Sequence, residues 1–201
     1  MAGAFHYHVT TFFYPPIRKE RTSLHPPILR PEILNAKGEP GEHLLVYQTS
    51  TSNTALPEIL RASGRECRIY GLRRDLKEEL VEGNLRFRPF SEAGFIDDLR
   101  TARGVIASAG FTLMGEAVYL HRPMLAVPVA GQFEQVLNAR YLEREGYGLC
   151  ADDLTDARLG EFLERIPDCE RKLASYTQDG NRDLLDGLAR SLDAAKNRGR
   201  G

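Results

Sequence analysis

The chain has 201 residues, which is enough for one substantial hydrophobic core with extensions and too few for two full domains of ordinary size. Hydrophobic residues make up 42% and charged residues 27%, and no apolar run approaches the ~20 residues of a membrane-spanning helix, so we expect a soluble globular protein. The 27 basic and 28 acidic residues give a net charge of −1, which provides no overall field that would favour nucleic acid as a partner.

The cysteines and the first residues favour a cytoplasmic location. Cys67, Cys150 and Cys169 are odd in number and widely separated, which fits reduced thiols better than a disulfide framework or a zinc site. The opening Met-Ala-Gly-Ala lacks the charged segment, apolar stretch and cleavage site of a secretory signal.

The first 43 residues are predicted to form an edge strand and an extended arm, preceding a domain that spans residues 44–197. Six of the eleven prolines fall in this part of the chain, which disfavours long helices and sheet interiors. Residues 6–14 are its strand candidate. His6 and His8 alternate along that strand with no nearby carboxylate or cysteine, so we interpret them as structural or solvent-facing and predict no metal ligands.

From Leu44 onwards, short apolar runs alternate with helical periodicity. The six strand candidates are residues 44–47, 67–70, 85–89, 105–108, 124–127 and 147–150. The helical segments lie near residues 54–63, 74–81, 92–101, 112–120 and 134–145, and two or three more helices follow Thr155 before a predicted disordered tail at 198–201. This alternation predicts an α/β fold: a Rossmann-like parallel sheet of about six strands with helices on both faces. Ligands of such sheets bind at the carboxyl ends of the strands.

The loop after the fourth strand candidate has the features of a phosphate site. Ser108 and Gly110 form a small-residue turn between a buried strand and a helix, and Gly110 lets a ligand approach the backbone closely. The backbone N–H groups of Phe111 and Thr112 lie at the positive end of the helix dipole, which suits a diphosphate. The alternative is that Gly110 only makes a tight strand-to-helix turn.

Glu116 is a carboxylate in apolar surroundings one turn into that helix. It is the only acidic residue between Asp98 and Glu134. A buried, unpaired charge would be costly, and a ribose diol can donate two hydrogen bonds to the two carboxylate oxygens. The alternative is an exposed glutamate on a helix surface.

The loop after the fifth strand candidate leads into a helix start with several polar groups. Glu134 offers carboxylate oxygens, and Gln135 and Asn138 offer amides that both donate and accept hydrogen bonds. This combination is typical of sites that recognise the ring hydroxyls of a sugar. Helix capping or solvation is the alternative.

Taken together, these segments resemble a known family. Residues 108–116 (SAGFTLMGE), 122–128 (RPMLAVP) and 134–139 (EQVLNA) resemble the donor-binding domain of GT-B glycosyltransferases, which contain two Rossmann-like domains, and especially the MurG-like family. The resemblance covers roughly residues 44–150 in order and spacing.

The resemblance implies a role for each candidate residue. The loop at 110–112 would hold the diphosphate of a sugar nucleotide, Glu116 would bind the ribose, and Glu134 and Gln135 would contact the donor sugar. Phe90, in the turn after the third strand candidate, matches the segment whose backbone reads the base in that family. A phenylalanine of the hydrophobic core is the alternative for Phe90.

The sequence departs from the family after the first strand candidate. The family often has a glycine-rich turn there, whereas residues 47–53 read YQTSTSN, whose hydroxyl groups are candidates for phosphate contacts. In GT-B enzymes the catalytic base and most acceptor contacts belong to the amino-terminal domain, so no catalytic residue is predicted here. Residues 1–43 look like the end of that domain and its linker. The chain has no Asp-x-Asp pair, and we expect no cofactor or metal beside the donor.

The sequence therefore predicts the half of a GT-B glycosyltransferase that binds a nucleotide-diphospho-sugar, most simply a UDP-sugar. The full enzyme would transfer a hexose or N-acetylhexosamine to an acceptor hydroxyl, would need an amino-terminal acceptor-binding domain or partner chain, and could be peripheral to a membrane. This chain alone is not expected to be competent for turnover. The alternatives are a noncatalytic nucleotide-sugar-binding subunit completed by a partner chain, a GT-B nucleotide-sugar epimerase, and an interaction module with an empty cleft.

Overall fold

Strands and helices alternate along most of the chain. The computed structural model describes residues 5–39, 41–48 and 54–198. The strands are β1 (Tyr7–Thr10), β2 (Thr22–His25), β3 (Leu44–Tyr47), β4 (Cys67–Tyr70), β5 (Leu80–Glu82), β6 (Leu85–Phe87), β7 (Gly104–Ala107), β8 (Met124–Ala126) and β9 (Gly148–Cys150). The helices are α1 (Pro31–Asn35), α2 (Leu56–Ala62), α3 (Glu92–Arg100), α4 (Phe111–Tyr119), α5 (Phe133–Glu145), α6 (Asp156–Leu173) and α7 (Arg182–Arg198).

Seven of the strands form one sheet in the order β5–β6–β4–β3–β7–β8–β9. Every neighbouring pair from β6 to β9 is parallel, and only the edge pair β5–β6 is antiparallel. The predicted α/β fold with a Rossmann-like parallel sheet is therefore confirmed. Because six strands run the same way, their carboxyl ends lie along one edge of the sheet, where ligands of such folds bind.

Both faces of the sheet are covered. In β7, Val105 and Ala107 belong to a core formed with α3, α4 and α5, whereas Ile106 between them belongs to a second core formed with α2 and α6. This alternation follows from the two-residue period of a strand, and burial of both faces explains why the central strands β3, β7 and β8 are almost wholly apolar. No helix in the described part of the chain is both long and apolar enough to cross a membrane.

The first part of the chain is an arm that packs on the domain. Its strand candidate does form β1, but β1 pairs in parallel with β2 as a separate two-stranded sheet and does not join the edge of the main sheet. Helix α7 packs against this pair. Three apolar side chains of the arm, Phe12, Leu29 and Ile33, are buried in the same core as α3, α4 and α5. The arm is thereby attached to the domain at several points along its length.

The helix predicted near residues 74–81 is wrong. Leucines at 72, 76 and 80 have helical spacing and do pack against the core, but the segment ends in β5, which forms a hairpin with β6. Gly83 has a positive φ of 62° in the turn between them, a conformation that glycine adopts without strain. A hairpin strand therefore forms at residues 80–82, where the leucine spacing predicted the end of a helix.

Two predictions concern residues outside the described part of the chain. The hydroxyl-rich turn proposed for phosphate contacts consists largely of residues 49–53. Of the predicted tail, Arg198 is the last residue of α7, and residues 199–201 are not described.

Candidate functional site

A cavity of about 690 Å³ opens at the carboxyl edge of the sheet, between the arm and helices α3 and α4. We call it the arm cavity, because residues 28–31 of the arm form one of its walls. Three of the predicted site residues, Phe90, Thr112 and Glu116, line it together. Its volume is in the range of small-molecule binding sites.

Glu116 is the buried polar centre of this cavity. Its residue surface is 3% exposed, so the alternative of a surface glutamate is wrong. Its partner in the structure is Arg30 of the arm: Arg30 Nε donates to Oε1 over 2.8 Å, and Arg30 Nη2 donates to Oε2 over 3.1 Å. Arg30 Nη1 also donates to Glu92 Oε1 over 2.7 Å. The carboxylate thus has a counter-ion without any ligand, while each of its oxygens retains a further lone pair.

Burial affects the pKa values of Glu116 and Arg30 differently. Burial raises the pKa of the Glu116 carboxyl above its usual range, and the hydrogen bonds and positive charge of Arg30 offset only part of that rise. Burial works against the charge of Arg30 as well, but the bonds to Glu116 and Glu92 raise the pKa of the Arg30 guanidinium overall. The difference arises because Glu116 is buried while Arg30 is partly exposed.

The amino end of α4 is open, as the phosphate hypothesis requires. Gly110 is the N-cap residue, and no side chain in the described part of the chain caps the helix. A Cβ added to Gly110 would meet no atom within 4 Å, so there is space above the backbone. Its φ of −66° does not require glycine, so backbone conformation does not explain a glycine at this position.

The side chains around this helix start point in different directions. Thr112 is exposed at the cavity, and Ser108 is half-buried. Phe111 packs its ring into the core and stacks on Phe12 with ring centroids 6.1 Å apart. Phe111 can therefore offer its backbone N–H to a ligand, but its side chain belongs to the core.

The polar residues at the start of α5 play unequal parts. Glu134 is exposed. Gln135 is hydrogen-bonded to the preceding loop, since its Oε1 accepts from Val129 N over 2.9 Å. Asn138 is buried, and its Nδ2 donates to the carbonyl oxygen of Ala109 over 3.3 Å. This last contact brings the start of α5 next to the loop that precedes α4. Contact of the three side chains with a sugar stays a prediction.

Phe90 is the most exposed large apolar residue of the site. It is 81% exposed, so the alternative of a core phenylalanine is wrong. It follows β6 and stands at the arm cavity. An exposed aromatic ring at the rim of a cavity is a suitable surface for a nucleobase to stack on.

A second cavity of about 710 Å³ opens at the same edge of the sheet, next to the other core. Val46 and Ile106 form part of its apolar floor, and Asp152 and Asp153 lie at its wall. The arm cavity is the better candidate for a nucleotide, because it contains the cation Arg30 and three of the predicted site residues, Phe90, Thr112 and Glu116, whereas no arginine or lysine in the described part of the chain lines the second cavity. Among the described residues, no group of three His, Cys, Asp or Glu side chains could hold a metal ion.

The site residues that the sequence did not indicate come from the arm. Arg30 lies 86 residues before Glu116, and nothing in its local sequence marks it as a site residue. The buried Glu116 carboxylate does have a partner, but in the structure that partner is the Arg30 guanidinium and not a ribose. A search for the cation that neutralises this carboxylate would have pointed to the arm.

The chain matches the family model described as glycosyl transferase family 1 over residues 1–167. It is also 40% identical over 52 residues to the UDP-N-acetylglucosamine--N-acetylmuramyl-(pentapeptide) pyrophosphoryl-undecaprenol N-acetylglucosamine transferase 3 of Bacillus cereus. That match covers 24% of this chain and 15% of the relative.

The fold is similar to that of solved glycosyltransferases. The glycosyltransferase of kitacinnamycin matches 86% of this chain with a TM-score of 0.59 and 16% identity, over 50% of its own length. The spinosyn forosaminyltransferase matches 91% with a TM-score of 0.55 and 15% identity, over 54% of its length. The glycosyltransferase SnogD of Streptomyces nogalater matches 87% with a TM-score of 0.53 and 15% identity, over 50% of its length. The chain therefore spans about half the length of these proteins.

Proposed function

Because the chain belongs to glycosyl transferase family 1, we propose that it is the donor-binding half of a two-domain GT-B glycosyltransferase. The donor is a nucleotide-diphospho-sugar, with a UDP-sugar as the first candidate, and the complete enzyme transfers a hexose or N-acetylhexosamine to an acceptor hydroxyl. The observation that carries this proposal is the buried Glu116 carboxylate in a cavity beside the uncapped start of α4. The name of the Bacillus cereus relative, a UDP-N-acetylglucosamine-dependent transferase, supports the choice of UDP.

The nucleotide binds with its base beside Phe90 and its ribose at Glu116. The two ribose hydroxyls donate to the carboxylate oxygens, and the backbone N–H groups at the start of α4 donate to the diphosphate. The sugar then extends towards Glu134 at the start of α5. The positive end of the α4 dipole offsets the charge that the diphosphate gains as it leaves the sugar.

The acceptor side belongs to another half of the enzyme. Two features support this part of the proposal. The chain spans about half the length of the solved glycosyltransferases that it matches. Helix α7 also carries a row of exposed leucines, Leu185, Leu188 and Leu192, whose spacing of three and four residues places them on one helix face. We infer that the amino-terminal half covers this face and that residues 1–43 are the linker to it. We also propose that the complete enzyme is cytoplasmic and acts at the membrane periphery.

Isothermal titration calorimetry tests the donor site. The chain is titrated with UDP, ADP, GDP, CDP and the corresponding nucleosides, and we expect at least one diphosphate to bind. Glu116→Gln should weaken that binding about tenfold or more, because charge-assisted hydrogen bonds to the ribose are lost. Glu164→Gln, at an exposed position of α6, is the matched control and should bind as the wild type does.

Two results would contradict the proposal. If no nucleoside diphosphate binds, the chain does not form a donor site. If the chain alone transfers sugar from UDP-N-acetylglucosamine to an acceptor or to water above the buffer background, it is not a half-enzyme that lacks its catalytic base.

A further inference from the structure

Arg30 reaches the donor site from a rigidly held part of the arm. Leu29, directly before it, exchanges two hydrogen bonds with one side chain: Leu29 N donates to Asn181 Oδ1 over 2.9 Å, and Asn181 Nδ2 donates to Leu29 O over 2.8 Å. Pro31, directly after it, begins α1 and has a restricted φ. The backbone on both sides of Arg30 is therefore fixed, and the arginine is presented to the cavity in one place.

The guanidinium uses all three of its nitrogens on two carboxylates. Nε and Nη2 hold the two oxygens of Glu116, and Nη1 holds Glu92 on α3. A planar fork on both oxygens fixes the plane of the Glu116 carboxylate as well as its position. One lone pair on each oxygen is occupied and one is left, so the remaining acceptors also have a fixed direction.

The charged groups that face Glu116 come from two elements. Arg30 of the arm favours the ionised carboxylate, whereas Glu92 of α3, together with burial, disfavours it. Without Arg30 both remaining influences would act in the same direction, and Glu116 would take up a proton at higher pH. A protonated carboxyl has fewer acceptor positions and discriminates less between a diol and a single hydroxyl.

We propose that Arg30 is a positioning residue that makes the donor site selective for ribonucleotides, by keeping the Glu116 carboxylate ionised and fixed in plane for the two ribose hydroxyls. Arg30 acts through Glu116 and does not need to touch the nucleotide. This inference rests on the proposed donor site. It makes the arm a part of that site, and not only a connection to it.

The test compares each ribonucleoside diphosphate that binds with its 2′-deoxy counterpart, for instance UDP with 2′-deoxy-UDP, by calorimetry between pH 5 and pH 8. The wild type should prefer the ribonucleotide about tenfold or more, and its binding should weaken in acid as Glu116 takes up a proton. In Arg30→Gln the preference should largely disappear, and the loss in acid should begin at a higher pH. Arg100→Gln, whose arginine pairs with Glu39 and Asp97 outside the cavity, should keep the preference and pH profile of the wild type.

A second variant separates positioning from folding. Arg30→Lys keeps the positive charge but not the planar fork, so its preference for ribose should fall while its pH profile stays close to that of the wild type. If Arg30→Gln does not fold, an unchanged ribose preference in Arg30→Lys overturns the inference. If the wild type binds a ribonucleotide selectively and Arg30→Gln keeps both the selectivity and the pH profile, the role of Arg30 is wrong and the donor site stands. If the wild type binds no nucleotide at any pH, the donor site and the role of Arg30 fall together.

Discussion

Asn138 on α5 is tied through its side-chain Nδ2 to the backbone carbonyl of Ala109, over 3.3 Å. Ala109 belongs to the loop between β7 and α4, so one buried amide connects the helix proposed to meet the sugar with the loop proposed to hold the diphosphate. Since the loops before α4 and α5 follow neighbouring strands, this bond links the two sides of the crevice between them.

Asn138→Leu should weaken both the fold and the crevice. Leucine has a similar size but leaves the Ala109 carbonyl unpaired in a buried place, so we expect a loss of about 1–3 kcal/mol in the free energy of unfolding. UDP affinity should fall as well, because the loop is no longer held. Urea denaturation and calorimetry measure the two effects, with Arg140→Ala on the exposed side of α5 as the control. An Asn138→Leu protein with unchanged UDP affinity would show that this bond has no influence on the crevice.

Asp98 on α3 should be one of the most sensitive positions for stability. It is 0% exposed, and its carboxylate accepts from Tyr70 Oη over 2.5 Å, from Arg68 Nη1 over 2.6 Å and from Arg88 Nε over 3.0 Å. Asp98→Asn leaves two arginines facing an amide, and we expect a loss of about 3 kcal/mol or more in urea denaturation.

The neighbouring Asp97 provides the control for this prediction. Asp97 is exposed and pairs with Arg100 on the helix surface. Asp97→Asn should cost less than about 1 kcal/mol, since surface ion pairs contribute little. Equal losses in the two variants would mean that the buried network around Asp98 does not matter for stability.

Gly115 on α4 should not tolerate a side chain. A Cβ there would lie 2.8 Å from Pro27 Cβ, which is part of the arm. We therefore expect Gly115→Ala to push the arm away from α4, to lower the free energy of unfolding by about 1–3 kcal/mol, and to weaken UDP binding by disturbing the contact between Arg30 and Glu116.

For Gly160→Ala on α6 we expect the opposite effect, a gain in stability. A Cβ at Gly160 would meet nothing within 4 Å, so alanine should raise the stability by about 0.5–1 kcal/mol through its higher helix propensity. Thermal denaturation of Gly115→Ala and Gly160→Ala separates the two effects of alanine. If only Gly115→Ala is destabilised, contact with the arm, and not glycine flexibility, explains the need for glycine at position 115. A neutral Gly115→Ala would contradict the close packing of arm and helix.

Acid should loosen the contact between the arm and α7. His8 Nδ1 and His25 Nε2 are 2.9 Å apart, so one ring must donate and the other accept, and His25 Nδ1 is bonded to Asp183 Oδ2 of α7. Burial, followed by the charges of His6, His25 and Arg190, lowers the pKa of His8. The unfolded chain therefore binds a proton at His8 more readily than the folded chain does. This contribution to stability is complete above about pH 6.5 and is lost as the pH falls through the lower folded value.

Urea denaturation at pH 7.5 and pH 5.5 checks this prediction. His8→Gln should lose less stability than the wild type over this interval, because the group that takes up the proton is absent. His121→Asn is the control, since the His121 ring bonds to the carbonyl oxygen of Tyr176 and not to the His8–His25 pair, and its positive φ of 57° is one that asparagine tolerates. The same acid loss in His8→Gln and in the wild type would assign the pH dependence to other groups.

Most of the domain could be predicted from local patterns. The short apolar runs at β3, β4 and β7 are buried on both faces, so their strand character shows in the sequence without knowledge of their partners. The helix expected at 74–81 failed because leucine spacing reports burial, and burial alone does not distinguish a helix from an irregular segment that leads into a hairpin.

The site was only partly predictable for a different reason. Glu116 stands out because it is a single carboxylate among apolar residues, a property of the local sequence. Its bond to Arg30 is a contact between segments far apart in the chain, and it depends on how the arm folds back over α4. Gln135 was predicted from its chemistry, but local pattern could not show that its amide is engaged with Val129.

The wall that residues 28–31 contribute to the arm cavity has a practical consequence for enzyme engineering. If this domain were exchanged between two related proteins, a junction placed just before β3 would leave Arg30 and its neighbours with the other parent. A recombinant enzyme joined upstream of β1 keeps the arm cavity, the hydrogen bonds between Asn181 and Leu29, and the β1–β2 pair from a single source. Such a hybrid should retain the nucleotide preference of the parent that supplied this domain. A hybrid joined at residue 43 should lose that preference.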